Sequence, residues 1–515
     1  MKARLRFALL GTAAALAGSI CAAGSAAAAP AADRVRVSVV GIDRAGAPVG
    51  VTAYADTGQN PPVRLTTRPR TLDAGQYWIG AAITTPGTGT SESTETLVVR
   101  HVTISHSQTV YLDARPGKLV RISLRLPGAV NQGDAVQACF SGGVSGFWGA
   151  SAPAGALYAV PLASRHLAFG YSSAWETGSA TYYLAQQALG GIPRHPAYQV
   201  APASLAKETL VLRSGTTSGG YQDWQLDRQF RDQCDIYELG LPAAGAPSRS
   251  TAYLSPGTWQ FEVSGNGAWQ GTKKLAAGHK YTDTFGAAVF GPGANYPTLD
   301  FGLLDYFPEE PFGDPLQSVG GECCDRSSIS LSLHGRTLRR RTMTEYRANR
   351  SFSYRVHSAG WYTMRAVASR WVPGGHVPAG ILSPRETTTW RFYVSPQYAT
   401  LDSVVMPVSA TRFVPQGLNL ENQAPAGHTT RINVRVLPAS EAGWTSYRYR
   451  IKSVSVQASF DGGRTWRSVR LVRRGGSWVA FVPAAAAGYV ALRSTVADVR
   501  GDSTVQTIYR AYQIG

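Results

Sequence analysis

The sequence predicts an all-β protein built from tandem immunoglobulin- or fibronectin-like β-sandwich domains with few helices. Three observations support this prediction: runs in which apolar and polar residues alternate, an Asp-box hairpin near the C-terminus, and a composition of 55 Gly, 30 Pro and 24 Tyr with only 16% charged residues. Alternation with a period of two is typical of half-buried strands, and frequent Gly and Pro place turns between short strands. Long helices are therefore not expected.

Residues 1–32 have the features of a secretory signal peptide. Lys2, Arg4 and Arg6 precede an apolar run that reaches Ala29 and ends in small residues suited to cleavage. Further along the chain, no window reaches the roughly 18 consecutive apolar residues that a membrane span requires. The sequence therefore predicts a secreted, extracellular protein without a membrane span.

Residues 33–126 form the first predicted sandwich. It opens with Arg34–Val39, whose three valines share one face of a strand, and it closes with Leu119–Leu126, which alternates in the same way. Gly and Pro residues divide the intervening segment into short strands. A length close to one hundred residues suits a single sandwich.

The next two predicted domains are less regular. Residues 127–250 form a β-rich domain that contains Cys139 and Cys234, and within it Ala180–Leu189 fits a short helix by propensity and an edge strand by its tyrosines. Residues 251–400 return to strand-like alternation and are predicted as a sandwich that carries an acidic, aromatic loop.

Residues 401–515 form the last predicted immunoglobulin- or fibronectin-like sandwich, and they contain the Asp-box. Its turn residues share a structural role and are Ser459, Asp461, Gly463, Thr465 and Trp466. We expect Asp461 to accept a backbone hydrogen bond from two residues further on, Gly463 to supply a positive φ, and Trp466 to fold back over the loop. Because the motif occurs once, a sialidase-type propeller is disfavoured.

Four cysteines remain once the signal peptide is removed: Cys139, Cys234, Cys323 and Cys324. An even number in an oxidising compartment predicts two disulfides, for which three pairings are possible. A bond between two adjacent cysteines is the most strained, so we favour pairing Cys139 and Cys234 each with one of the adjacent pair. A metal site at the adjacent pair is the alternative, but no Cys-x-x-Cys motif accompanies it, and we predict no metal or cofactor.

Charge is distributed unevenly along the chain. Residues 33–325 hold 21 Lys and Arg against 24 Asp and Glu, whereas residues 326–515 hold 26 against 8 and so carry a net charge of +18. Such an excess indicates either attraction to an anionic polymer or a solvated face on which Arg alternates with core residues. We expect weak, salt-sensitive binding of anionic polymers through residues 326–515.

Three segments near the C-terminus, Val454–Trp466, Gly488–Arg493 and Gln506–Tyr512, follow one another in a distinctive order and spacing. They resemble the end of the non-catalytic region that follows the protease domain in secreted subtilisin-like serine peptidases of actinobacteria. The resemblance implies an accessory role without a catalytic centre. The catalytic Asp, His and Ser motifs of that family are missing from this sequence, so no catalytic residue is carried over.

A cluster of carboxylates among aromatic residues is the candidate ligand loop. It comprises Asp305, Glu309, Glu310 and Asp314. Glycosidases use two carboxylates at a defined separation, which makes a polysaccharide-active hydrolase one alternative function. A proline-bracketed acidic turn on the surface is the simpler interpretation.

The sequence therefore favours a secreted, non-catalytic protein that acts as an extracellular binding or accessory scaffold. Its expected partner is an unknown extracellular protein or a cell-wall polymer. The alternatives are the hydrolase that uses the acidic loop and a trans-acting partner of a separate subtilisin-like protease. Fold alone does not decide among these functions.

Overall fold

The computed structural model describes the chain from residue 34 to its end with sixteen internal gaps. The described residues are 34–57, 61–88, 92–140, 147–214, 223–230, 247–264, 267–293, 296–308, 311–316, 319–322, 325–344, 351–371, 376–377, 379–395, 404–439, 445–446 and 449–515. Strands dominate this part of the chain, and its only helical segment is the 3-10 turn Pro202–Ser204. None of the described helical structure is long and apolar enough to span a membrane. The fold class is all-β, as predicted.

Strands of the first half of the chain are short and closely spaced. In order they are β1 (Arg34–Ile42), β2 (Pro48–Val49), β3 (Ala53–Asp56), β4 (Val63–Leu65), β5 (Arg70–Asp73), β6 (Gly75–Thr85), β7 (Thr94–Ile104), β8 (Gln108–Asp113), β9 (Lys118–Leu119), β10 (Arg121–Leu124), β11 (Val130–Phe140), β12 (Phe147–Ala152), β13 (Leu157–Ala159), β14 (Leu162–Thr177), β15 (Ala180–Ile192), β16 (Ala197–Val200), β17 (Ala206–Leu212), β18 (Asp223–Gln229), β19 (Ser248–Leu254), β20 (Gly257–Ser264) and β21 (Gly267–Leu275).

Strands of the second half complete the sheets. They are β22 (Lys280–Phe285), β23 (Thr298–Asp300), β24 (Leu303–Tyr306), β25 (Val319–Glu322), β26 (Asp325–Leu333), β27 (Arg336–Thr344), β28 (Phe352–Arg355), β29 (Gly360–Arg370), β30 (Arg385–Val394), β31 (Val404–Val405), β32 (Ser409–Pro415), β33 (Gln423–Ala424), β34 (Thr430–Pro438), β35 (Thr445–Ser446), β36 (Ile451–Ser459), β37 (Arg467–Ser468), β38 (Arg470–Arg474), β39 (Ser477–Val482), β40 (Gly488–Asp498) and β41 (Ser503–Ile514).

The first sandwich packs a four-stranded sheet of β1, β2, β5 and β8 against a six-stranded sheet in the order β4-β3-β6-β7-β13-β9. Its core includes Val37, Val39, Ile79 and Leu112, all fully or nearly fully buried. Val35, Val37 and Val39 of β1 thus face inward, as their alternation predicts.

The middle of the chain forms a seven-stranded sheet, β12-β11-β14-β15-β19-β17-β22, and a four-stranded sheet, β18-β20-β21-β25. The ambiguous segment Ala180–Leu189 is a strand, because it lies within β15 and pairs antiparallel with β14. Leu212 of the larger sheet and Phe261 of the smaller one share a single apolar core. The two sheets therefore pack together.

The C-terminal region is organised around a nine-stranded sheet. Its strand order is β27-β26-β29-β30-β41-β40-β36-β37, and β33 also pairs with β41. One face carries Ile329, Trp390 and Phe392, which pack in one core with the five-stranded sheet β28-β24-β23-β31-β35. Further along the same face, Leu492 shares a core with the four-stranded sheet β32-β34-β39-β38. The opposite face of the nine-stranded sheet is turned outward.

Some strands pair with strands on the other side of a domain boundary that the sequence predicts. β13 pairs with β7 across residue 126, β22 pairs with β17 across residue 250, and β30 pairs with β41 across residue 400. Alternation identifies a strand and the face that it buries, but the pairing partner can lie more than one hundred residues away. The sandwiches are therefore joined by shared sheets.

Candidate functional site

The outward side of the nine-stranded sheet, here called the basic face, carries six arginines. They are Arg326, Arg340, Arg365, Arg385, Arg391 and Arg493. Each alternates with an inward apolar or polar residue, as when Trp390 and Phe392 are buried on either side of Arg391. Because side chains along a strand point to opposite faces, the sequence places these cations together on one surface.

Cross-strand register sets the arginines among hydroxyl groups. Arg365 of β29 pairs with Ser330 of β26 and with Thr389 of β30. Arg391 of β30 pairs with Thr363 of β29 and with Ser503 of β41. Neighbouring strands lie about 4.8 Å apart, so guanidinium and hydroxyl groups alternate across the sheet at close spacing.

Aromatic rings lie against four of the six guanidinium groups, those of Arg326, Arg385, Arg391 and Arg493. The Arg391 guanidinium carbon lies 3.9 Å from the centre of the Trp361 ring, and its Nη1 donates a hydrogen bond of 3.1 Å to the Gly501 carbonyl oxygen. The Arg385 guanidinium carbon lies 5.5 Å from the Tyr509 ring centre. Stacking of this kind orders an arginine without neutralising its charge.

Among the described outward residues of this sheet there is no Asp or Glu. The carboxylates of the same strands, Asp325, Glu386 and Asp498, point to the interior and are 3%, 5% and 0% exposed. None of the six arginines forms a salt bridge within the described part of the chain. The basic face therefore presents uncompensated positive charge.

The Asp-box turn is built on hydrogen bonds to one carboxylate. Asp461 accepts bonds from the Arg464 N–H at 2.9 Å, the Thr465 N–H at 2.9 Å and the Thr465 hydroxyl at 2.5 Å. The Ser459 hydroxyl donates to Asp461 at 2.7 Å and accepts from the Gly463 N–H at 2.8 Å. These bonds hold the pKa of the Asp461 carboxyl well below its usual range.

Two details of this turn compare directly with the sequence prediction. The N–H groups that Asp461 binds are three and four residues further on, and not two, because Gly462 and Gly463 adopt positive φ values of 75° and 91° and curl the backbone around the carboxylate. The Trp466 indole N–H donates to the Gly463 carbonyl oxygen at 3.0 Å, so this ring does fold back over the loop.

Beneath the basic face lies a buried ionic cluster that the sequence did not reveal. Arg370, Asp325 and Glu386 are all nearly inaccessible, and Arg370 Nε donates to the Leu382 carbonyl oxygen at 3.1 Å. The Arg370 guanidinium carbon lies 4.6 Å from the Phe312 ring centre. Burial raises the pKa of Asp325 to about 6 and raises the pKa of Glu386 well above its usual value. The cluster is internal and does not contact solvent-borne ligands.

The predicted ligand loop does not form an exposed group of acids in the described residues. Asp305 lies in β24, and Asp314 is 1% exposed, with its Oδ1 accepting from the Leu316 N–H at 2.8 Å and its Oδ2 from the Ala287 N–H at 3.0 Å. Burial raises the pKa of Asp314 to about 7. Glu309 and Glu310 lie outside the described residues.

Of the predicted disulfide cysteines, Cys139 is described. It lies in β11, is 5% exposed and is disulfide-bonded. Cys234, Cys323 and Cys324 lie outside the described residues, so the pairing stays a prediction. No group of three or more potential metal ligands occurs in the part of the chain that the structure describes.

No protein-family model matches the chain, and no curated protein matches it. Among solved structures, the chain is similar to the Bacillus anthracis TIE protein at 8% identity, over 50% of this chain and 51% of that one, with a TM-score of 0.13. The match therefore spans about half the length of the TIE protein. Sidekick-1 immunoglobulin domains 1–5 match at 9% identity over 92% of this chain and 94% of that one, with a TM-score of 0.11. Escherichia coli alpha-2-macroglobulin activated by porcine elastase matches at 10% identity over 89% of this chain and 50% of that one, with a TM-score of 0.15. Scores this low carry no argument about this chain.

Proposed function

We propose that this protein is a secreted, non-catalytic scaffold whose basic face binds an anionic polymer of the cell wall. The observation that carries the proposal is the set of six arginines on one sheet face whose described outward residues include no carboxylate. The predicted signal peptide and the resemblance to protease-associated regions support an accessory role outside the cell.

The shape and chemistry of the face suit an extended polyanion. Planar guanidinium groups bind phosphate or carboxylate oxygens in pairs, and the neighbouring Ser and Thr hydroxyls add further donors. A broad sheet surface offers repeated contacts along a chain and no deep cavity for a small molecule. Neutralising a polyanion releases its counterions, so binding is expected to weaken steeply as salt increases.

The test compares two variants with the same change in net charge. The face variant replaces Arg365, Arg385 and Arg391 together by Gln. The control variant replaces three exposed arginines of the first sandwich and its edge by Gln, and they are Arg36, Arg68 and Arg121. Binding to purified teichoic acid is measured by calorimetry at several salt concentrations. The face variant should bind at least about tenfold more weakly, and the slope of log affinity against log salt should decrease by roughly two to three.

Equal weakening by the control variant would show that net charge alone drives binding and would overturn the proposal. A third variant, in which Arg431, Arg470 and Arg473 of the smaller C-terminal sheet become Gln, locates the surface. If only this third variant lost binding, the basic face would not be the binding surface. Hydrolysis of casein or of a polysaccharide panel by the purified protein would reject the non-catalytic assignment.

A further inference from the structure

Three strands bring a lysine and two acids together in the middle of the molecule. Lys273 of β21 places its Nζ 3.1 Å from both Oδ1 and Oδ2 of Asp283 in β22, and 3.2 Å from Oε2 of Glu208 in β17. β17 and β22 are adjacent parallel strands of the seven-stranded sheet, whereas β21 belongs to the four-stranded sheet that packs against it. The contact therefore bridges two sheets.

The group is shielded from water on the Glu208 side. The Glu208 side chain is 0% exposed, while those of Lys273 and Asp283 are each 26% exposed. The Tyr281 ring centre lies 4.7 Å from Lys273 Nζ, and this ring is fixed by a 2.9 Å hydrogen bond from the Ala276 N–H to its hydroxyl. The lysine amine is thus held between a ring and two carboxyl groups.

One oxygen of the buried acid has no hydrogen-bond partner. Oε1 of Glu208 is enclosed and accepts no hydrogen bond from the described residues. An ionised carboxylate with such an oxygen is costly, so a protonated Glu208 is favoured. Burial and the nearby Asp283 raise the pKa of Glu208 to about 7, which lets it gain or lose a proton near neutral pH.

This buried group of one lysine and two acids differs from the ordinary ion pairs of the protein. The other described salt bridges, Arg34 with Asp73 and Arg115 with Asp113, are exposed on the surface and have no third group. With Glu208 protonated, the buried group holds one ammonium and one carboxylate in a poorly solvated site, and both charges carry a desolvation cost. A reaction that removes one positive and one negative charge would relieve that cost.

We propose that Lys273 and Asp283 condense into an intramolecular isopeptide bond and that Glu208 transfers the protons. The Lys273 ammonium gives up a proton to the Asp283 carboxylate, and the resulting amine attacks the carbon of the neutral Asp283 carboxyl group. The protonated Glu208 delivers its proton to the departing oxygen and then takes one from the nitrogen, so it ends the reaction as it began. One C–N bond forms, one C–O bond breaks and one water molecule leaves, so ammonium plus carboxylate becomes amide plus water with no other reactant.

Proximity accounts for the reactivity of groups that do not condense in water. The nitrogen and the carboxyl oxygens are already in contact at 3.1 Å, and well-oriented intramolecular reactions reach effective molarities of about 10⁵ M or more. The product would tie β21 to β22 and thereby fasten the four-stranded sheet to the seven-stranded sheet by a covalent bond.

The test is peptide mass spectrometry of the mature protein after reduction and trypsin digestion. Cleavage after Lys274 and Lys280 places Lys273 and Asp283 on different peptides. The expected result is that these two peptides remain joined, with a mass one water molecule below their sum. Recovery of both as separate, unmodified peptides from the folded wild-type protein would overturn the proposal without reference to any variant.

Variants assign the roles of the three residues. Lys273→Arg keeps the positive charge but should abolish the joined peptide, whereas Lys274→Arg, at the exposed neighbouring lysine, should retain it. Glu208→Gln preserves the side-chain shape and should leave the two peptides separate. Folding of each variant is checked by circular dichroism. A joined peptide at wild-type yield in folded Glu208→Gln would exclude Glu208 as the proton carrier.

Discussion

The Arg493 guanidinium carbon lies 3.9 Å from the centre of the Trp466 ring, which joins the Asp-box turn to the basic face. Arg493 also donates from Nε to the Thr507 hydroxyl at 3.1 Å. A turn that is purely local in sequence therefore positions a cation of the sheet. The hydrogen bonds of Asp461 fix Trp466, and Trp466 in turn orients Arg493.

This stacking contact should be measurable as a coupling between the two side chains. Trp466→Ala and Arg493→Ala, made singly and together, should give a coupling free energy of unfolding of about 0.5–2 kcal/mol by a double-mutant cycle in urea. The cycle of Trp466→Ala with Arg391→Ala is the control. Strictly additive effects at Trp466 and Arg493 would contradict the contact.

The two glycines of the Asp-box turn should differ in their tolerance of a side chain. Both have positive φ, but a Cβ on Gly463 would lie 2.7 Å from Tyr509 Cε1, whereas Gly462 has no atom within 4 Å. Gly462→Ala should cost about 1–2 kcal/mol from backbone conformation alone. Gly463→Ala should cost more, because the Tyr509 ring must also move. Equal midpoints of urea unfolding for the two variants would refute this difference.

Adjacent residues of β30 should differ strongly in their contribution to stability. Phe392 is 0% exposed in the core, whereas Tyr393 is 40% exposed on the outer face. Phe392→Ala should lower the free energy of unfolding by about 3–5 kcal/mol because it leaves a cavity. Tyr393→Ala should lower it by less than about 1 kcal/mol. Unfolding in guanidinium chloride distinguishes these values. A larger loss of stability for Tyr393→Ala than for Phe392→Ala would contradict the inward orientation of Phe392.

The buried acids should make stability decline as pH rises. Glu386 faces Asp325 and Arg370, and burial raises its pKa well above 4.5, so the folded state retains a proton that the unfolded state releases. This contribution is complete below the unfolded pKa and is lost as pH rises through the folded pKa. Between about pH 5 and pH 8, Glu386→Gln should therefore lose less stability than the wild type. Parallel urea-unfolding profiles for the two proteins would argue against a protonated Glu386.

The sequence predicts the strands better than their partners. Alternation locates β1 closely because its first four residues alternate between exposed arginines and buried valines. It does not decide Ala180–Leu189, since the four consecutive residues from Tyr182 to Ala185 are all buried and this part of the strand does not alternate. The sharing of sheets between predicted domains depends on pairings between distant strands, which no local pattern specifies.

The candidate sites likewise divide into those that the local sequence predicts and those that depend on tertiary packing. The Asp-box and the positive charge of the C-terminal region can be recognised in the local sequence. The alternation of Arg with core residues places the arginines together on the basic face. In contrast, Glu208, Lys273 and Asp283 come from three strands of two sheets, and each is an ordinary charged residue in its own segment. Only tertiary packing brings them together.

The position of β41 between β30 and β40 governs the order in which the C-terminal region can assemble. Both neighbours of this strand precede it along the chain, and β30 lies more than one hundred residues upstream. During synthesis, β26, β29 and β30 are made before Ser503–Ile514, so the edge of β30 that pairs with β41 stays open until the end of the chain has been made. A chain shortened at its end would keep that edge available for association with other copies.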